Sequence, residues 1–182
     1  MRIDLPFRRG DSGGRGEVLL LAAQPWFIWS TLLAALLLSF LPFGRQPWLP
    51  DLLALTLVFW SVHQPRRVGI GAGFVLGLLL DVQQAALLGE HALAYALMSF
   101  FAVALHRRLL WFRLAQQALQ VLPLFFAAQL IEFIVRMATG GAFPGWSLFA
   151  APLLQAALWP ALSWLLLAPQ RRAPERDQNR PL

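Results

Sequence analysis

The chain has no cysteine and no lysine, and only 13% of its 182 residues carry a formal charge. The lack of cysteine removes thiol nucleophiles, disulfides and thiolate metal sites from consideration, and it leaves the redox compartment unreadable. The scarcity of charge excludes an ordinary soluble globule, in which about a quarter of the residues are charged. With 58% apolar residues there are too few polar groups to cover a surface in water, so a bilayer is the natural solvent. Recognisable enzyme signatures are missing too. No H-E-x-x-H occurs, the serines have no nearby histidine and acid in a readable motif, and His63, His91 and His106 fall at opposite ends of apolar runs. No three-ligand metal site assembles from them. The expectation is a non-enzymatic chain without cofactor or metal.

All fifteen basic residues are arginine, and the net charge is +6. Nucleic-acid binders present a basic patch or stripe. Here the arginines sit in short clusters between apolar runs, so they mark membrane topology and no nucleic-acid partner is expected.

Crossing a hydrocarbon core takes about 20 apolar residues in a helix, and six segments qualify as candidates: 21–43, 48–63, 68–82, 89–106, 118–138 and 146–167. Residues 1–20, which begin MRIDLPFRRGDSGGRGE, form a polar extension, 21–168 the membrane domain and 169–182 a basic tail. The first apolar run is too long for a signal-peptide core and lacks a convincing cleavage site, so it reads as a retained anchor. The second and third segments are short enough to be a re-entrant pair. That arrangement would bury Arg66 and Arg67 of the connecting HQPRR at membrane depth, at roughly 2.5–3.5 kcal/mol each. Two short spans, broken at Pro65, cost less.

Positive charge in short loops stays cytoplasmic. With six spans and both termini inside, Arg2, Arg8, Arg9, Arg15, Arg66, Arg67, Arg107, Arg108, Arg113, Arg171, Arg172, Arg176 and Arg180 fall on the cytoplasmic side. Only Arg45 and Arg136 fall opposite, thirteen against two. Trp29, Trp48, Trp60, Trp111 and Trp146 lie near expected span ends, where amphipathic rings meet headgroups. The fold class is therefore an all-α integral membrane protein of six transmembrane helices.

Within the third segment, Gly69, Gly73, Gly77 and Asp81 recur every fourth residue. On a helix they form one slowly drifting ridge, and small residues so spaced let helices approach closely in lipid. A dinucleotide fingerprint would need glycine at position 74, which is Phe74, and a preceding strand. Asp81 at the end of the seam is either a carboxylate turned into the bundle or a simple exit marker. Asp51, after Pro50, is helix-start chemistry. In the fifth segment Gln129, Glu132 and Arg136 share a face. The acid-first i,i+4 spacing favours a local Glu132–Arg136 pair, and a sharper expectation sends Arg136 across to Asp81. The turn QQAALLGEH between the third and fourth segments lies outside the bilayer, bracketed by Asp81 and Glu90.

The run PDLLALTLVFWSVHQPRRVGIGAGFVLGLLLDVQQAALLGEHALAYAL resembles the heart of the MreD family of rod shape-determining membrane proteins. The resemblance is carried by Pro50-Asp51, Trp60 to Arg67, Gly77 to Asp81, and Leu88-Gly89 followed by Ala92-Leu93. GGAFPGWSLF and WPALSWLLLAPQRR are similar to proteobacterial members. The resemblance implies an inner-membrane component of the cell-wall elongation machinery that associates with MreC. It further implies indirect partnership with MreB, RodA and the elongation-specific penicillin-binding transpeptidase, and a fold distantly similar to the substrate-binding subunits of energy-coupling-factor transporters. No catalytic residues come with it. On this reading Asp81, Leu88 and Gly89 would belong to a docking surface for MreC, and HRRLLWFR would meet anionic lipid headgroups or MreB. The competing reading is a small-molecule-binding transporter subunit, with a polar outer pocket built from Gln129, Glu132 and the 83–91 turn.

Overall fold

The structure is a computed structural model that describes residues 24–41, 48–143 and 145–170. The amino-terminal extension, Arg45 and most of the basic tail lie outside the described residues. Those that are described contain six α-helices and no strand: α1 (Pro25–Ser39), α2 (Leu52–His63), α3 (Ile70–Gln84), α4 (Glu90–Leu110), α5 (Leu114–Ala138) and α6 (Ala150–Leu167). A 3-10 turn, Trp146–Phe149, leads into α6, and another, Ala168–Gln170, comes after it.

Local chemistry sets the boundaries. Pro25 opens α1, where a missing N–H costs nothing. Asp51 caps α2, its Oδ1 accepting from the amides of Leu53 at 2.9 Å and Ala54 at 3.1 Å. α3 stops at Ala85, which adopts the left-handed conformation (φ 49°). Gly89 at φ 107° then turns the chain into α4, a backbone conformation that favours glycine.

α2 is the axis of the bundle. Every residue from Leu53 to Val62 is buried, and α1, α4 and α6 pack around it. Its rings interlock: Phe59 lies edge-on to Trp60 and against Trp159 of α6, and Phe27 of α1 meets Trp60 edge-on. Trp60 is therefore no headgroup anchor. It is fully enclosed, and its indole N–H donates to Thr31 Oγ1 at 2.8 Å. Trp111 and Trp146, by contrast, stand exposed. At 1.5 Å per residue the twelve residues of α2 extend only about 18 Å. Enclosure on all sides explains how so short a helix is accommodated, because protein rather than lipid surrounds it.

The outer helices are inverted relative to a soluble protein. Leu33 and Leu37 of α1, Phe74 and Val75 of α3, Phe100 and Phe101 of α4, Leu119 and Ile134 of α5, and Leu153 and Leu165 of α6 all point outward. Apolar surface spread over five helices far exceeds the isolated patches of soluble monomers. α4, α5 and the stretch Trp146–Gln170 are long and apolar enough to cross a membrane, whereas α1, α2 and α3 are shorter apolar helices.

Contacts between helix ends fix their directions. Asp81 near the end of α3 meets His91 at the start of α4, and Arg136 near the end of α5 meets Glu90. Asp51 at the start of α2 meets Tyr95 and Gln155. One end of the bundle thus collects Asp51, Asp81, Glu90, His91 and Arg136. The other end holds Arg66, Arg67 and Arg113 in its connections and Arg107 and Arg108 in the last turn of α4.

Candidate functional site

α3 lies closest to α4, and glycine makes that approach possible. A Cβ on Gly77 would stand 2.5 Å from Ala92 Cα and 2.7 Å from both Ala92 N and the His91 carbonyl carbon. One on Gly73 would stand 2.6 Å from Ser99 Oγ and 2.7 Å from the Tyr95 carbonyl oxygen. Gly69 plays no part in this contact. It caps α3 in extended conformation, with Pro65 O as its nearest neighbour at 3.7 Å, because the helix begins only at Ile70.

One turn beyond Gly77, Asp81 is completely buried and latches the α3–α4 turn. Its Oδ2 accepts from the Gly89 amide at 2.8 Å and the Ala92 amide at 3.3 Å. Its Oδ1 accepts from the His91 amide at 2.8 Å and faces His91 Nδ1 at 2.8 Å. The carboxylate thereby satisfies orphan donors of the first turn of α4 and meets that helix's positive end. Of the docking residues named from sequence, Asp81 has no surface to offer a partner. Leu88 is 68% exposed, flanked by exposed Leu87 and Val82, and Gly89 contributes its amide to the latch.

Arg136 does not reach Asp81, whose acceptors are already filled. Its Nη2 donates to Glu90 Oε1 at 3.0 Å, an ion pair joining α5 to α4, with the Glu90 side chain 5% and the Arg136 side chain 40% exposed. Glu132 pairs with its other neighbour instead, accepting from Gln129 Nε2 at 3.2 Å. Gln129 and Glu132 are thus together, and Arg136 is committed elsewhere.

Sequence reasoning missed three members of this end of the bundle. Tyr95 on α4 donates its hydroxyl to Asp51 Oδ2, and Gln155 on α6 donates from Nε2 to the Asp51 carbonyl at 3.4 Å. Glu90, only a turn marker in the sequence, anchors Arg136. Gln155 alone gave a signal, as a polar residue inside an apolar run. Asp51, Tyr95, Gln129, Glu132 and Gln155 line a small cavity of about 30 Å³ with Ala54, Met98, Phe125 and Ala128. Glu132 lies six residues before the end of α5, so the cavity and the start of α2 are recessed by roughly 9 Å from that end. The 83–91 turn does not line it. Among the described residues no group of three or more His, Asp or Glu side chains could hold a metal ion.

An all-helical bundle with lipid-type apolar surface, a glycine-tight helix pair and polar groups gathered at one end defines a membrane protein. Similarity to known proteins says which kind. The family model for "rod shape-determining protein MreD" matches residues 22–168. The Rod shape-determining protein MreD of Haemophilus influenzae is 31% identical over 150 residues, covering 76% of this chain and 88% of that protein. No solved structure matches. The chain belongs to the MreD family, whose members are rod shape-determining membrane proteins rather than known enzymes.

Proposed function

We propose that this protein is an inner-membrane adaptor of the rod complex, crossing the membrane six times with both termini cytoplasmic. It presents the α3–α4 turn to MreC on the outer side and through it serves the peptidoglycan synthases. The observation that carries this reading is the latched turn. Three backbone amides and the His91 ring bind one buried carboxylate and hold the turn, while Leu87 and Leu88 project from it beside Val82 of α3. A preorganised apolar knob loses little conformational freedom on binding.

Arginine placement supports the orientation. Among the described residues five arginines lie at the end opposite the latch and one at the latch end, the bias expected if the arginine-rich end is cytoplasmic. The transporter reading finds less support. Sites for drug-sized ligands span roughly 300–1,000 Å³, and the cavity here is about 30 Å³.

The test is capture of MreC by membrane-solubilised protein. Leu88→Asp is expected to reduce capture at least tenfold with the amount of protein unchanged. Undiminished capture by Leu88→Asp and by Leu87→Asp would remove the turn from the interface.

A further inference from the structure

We propose that the cavity at the start of α2 is a binding site for one small monovalent cation, with the Glu132 carboxylate as its charged ligand. The acidic groups at the latch end of the bundle, taken one by one, single it out. Asp81 is satisfied by three backbone amides and the His91 ring. Glu90 is neutralised by Arg136. Asp51 accepts from two backbone amides and the Tyr95 hydroxyl, at the positive end of α2. Glu132 is left over. Its one hydrogen bond is from Gln129 Nε2, a neutral donor at 3.2 Å, and the arginine one turn away is held by Glu90. Glu132 is partly buried, and the two cationic groups that act on it through space, His91 and Arg136, are paired with Asp81 and Glu90. An ionised carboxylate among apolar helices with no ion pair of its own is costly.

A second, independent feature points into the same space. Gln155 is only 5% exposed and lines the cavity, yet only its amide nitrogen has a partner, Asp51 O at 3.4 Å. Its Oε1 is an acceptor without a donor among the described residues. An acceptor and a carboxylate bordering one cavity call for a positive or donating guest. Oxygens of Glu132, Gln129, Gln155 and Tyr95 are the available ligands, a hard set suited to hard cations. One carboxylate without an ion pair, and no cluster of three acidic or histidine ligands among the described residues, favour a single positive charge over a divalent ion. A volume of about 30 Å³ holds a small ion or a water and excludes an organic cation.

The site predicts salt-specific stability. The full chain, purified in detergent micelles at mildly alkaline pH, is melted in sodium, potassium and choline chloride at equal ionic strength. Sodium or potassium is expected to raise the melting midpoint by roughly 2–4 °C over choline, with saturable concentration dependence. Glu132→Gln should abolish the difference and melt in choline no lower than the native chain. Gln155→Met should keep the dependence but raise the half-saturating concentration about fivefold, the effect of one lost neutral ligand. Equal midpoints of the native chain in all three salts, with stability rising only on acidification, would overturn the proposal. Glu132 would then simply carry a proton. The native-chain comparison decides the matter even if a variant fails to fold.

Discussion

Replacing Gly77 with alanine adds one methyl group, and the structure says that this one has nowhere to go. The new Cβ would stand 2.5–2.7 Å from Ala92 Cα, Ala92 N and the His91 carbonyl carbon. These are backbone atoms of α4, so no side chain can rotate away, and relief comes only by moving one helix about 1 Å from the other, as van der Waals separations near 3.5 Å require. Such overpacking costs about 1–3 kcal/mol. The displacement also pulls on Asp81, one turn further along α3, whose bonds to Gly89, His91 and Ala92 span the same gap. Weakening one or two of these adds about 1 kcal/mol each. The intrinsic gain of alanine over glycine in a helix, about 1 kcal/mol, offsets part of the loss. A net destabilisation of roughly 1–4 kcal/mol remains. Gly71 supplies the control, because a Cβ there meets nothing within 4 Å, and Gly71→Ala should be neutral or mildly stabilising. The assay is thermal unfolding of purified protein in detergent, monitored by tryptophan fluorescence. Equal stability of Gly77→Ala and Gly71→Ala would refute the close-approach argument.

Three further outcomes are expected. Asp81→Ala strands the amides of Gly89, His91 and Ala92 inside the protein, so stability should fall by about 1–3 kcal/mol; proteolysis within residues 85–89, measured on intact detergent-solubilised protein, should accelerate. Glu90→Arg and Arg136→Glu should each lower the amount of folded protein, while the double exchange restores it; size-exclusion yield reads this out, and no recovery would discount the pair. Tyr95→Phe removes the hydroxyl donated to Asp51 and should cost about 1 kcal/mol in the same melting assay, with the fold unchanged by circular dichroism.

The helices were legible in the sequence because each is an apolar run closed by turn chemistry, such as Pro50-Asp51 before α2 and Leu88-Gly89 before α4. The central place of α2 was not. A helix enclosed by protein and one facing lipid are apolar all round alike, since lipid tails are as apolar as leucine, and so Trp60 reads as a headgroup ring while it sits in the core. Of the candidate site, the sequence displays the four-residue spacing of Gly73, Gly77 and Asp81 but not what lies opposite them. It also places Glu132 and Arg136 at pairing distance, and the pairing changes because Glu90, 46 residues away, competes for the same guanidinium. Tyr95 and Gln155 reach Asp51 across 44 and 104 residues. No local pattern encodes contacts of that range, which only the packing of α2 between α4 and α6 creates.

The adaptor role requires the latched, acidic end of the bundle to face outward and the arginine-rich end to face the cytoplasm. The cysteine-free chain gives a clean background for single cysteines at two exposed positions, Leu88→Cys in the α3–α4 turn and Phe112→Cys in the α4–α5 turn. With a membrane-impermeant maleimide on intact spheroplasts, Leu88→Cys should label at once and Phe112→Cys only after permeabilisation. Labelling of Phe112→Cys from outside, with Leu88→Cys protected, would contradict the orientation and the docking surface that depends on it.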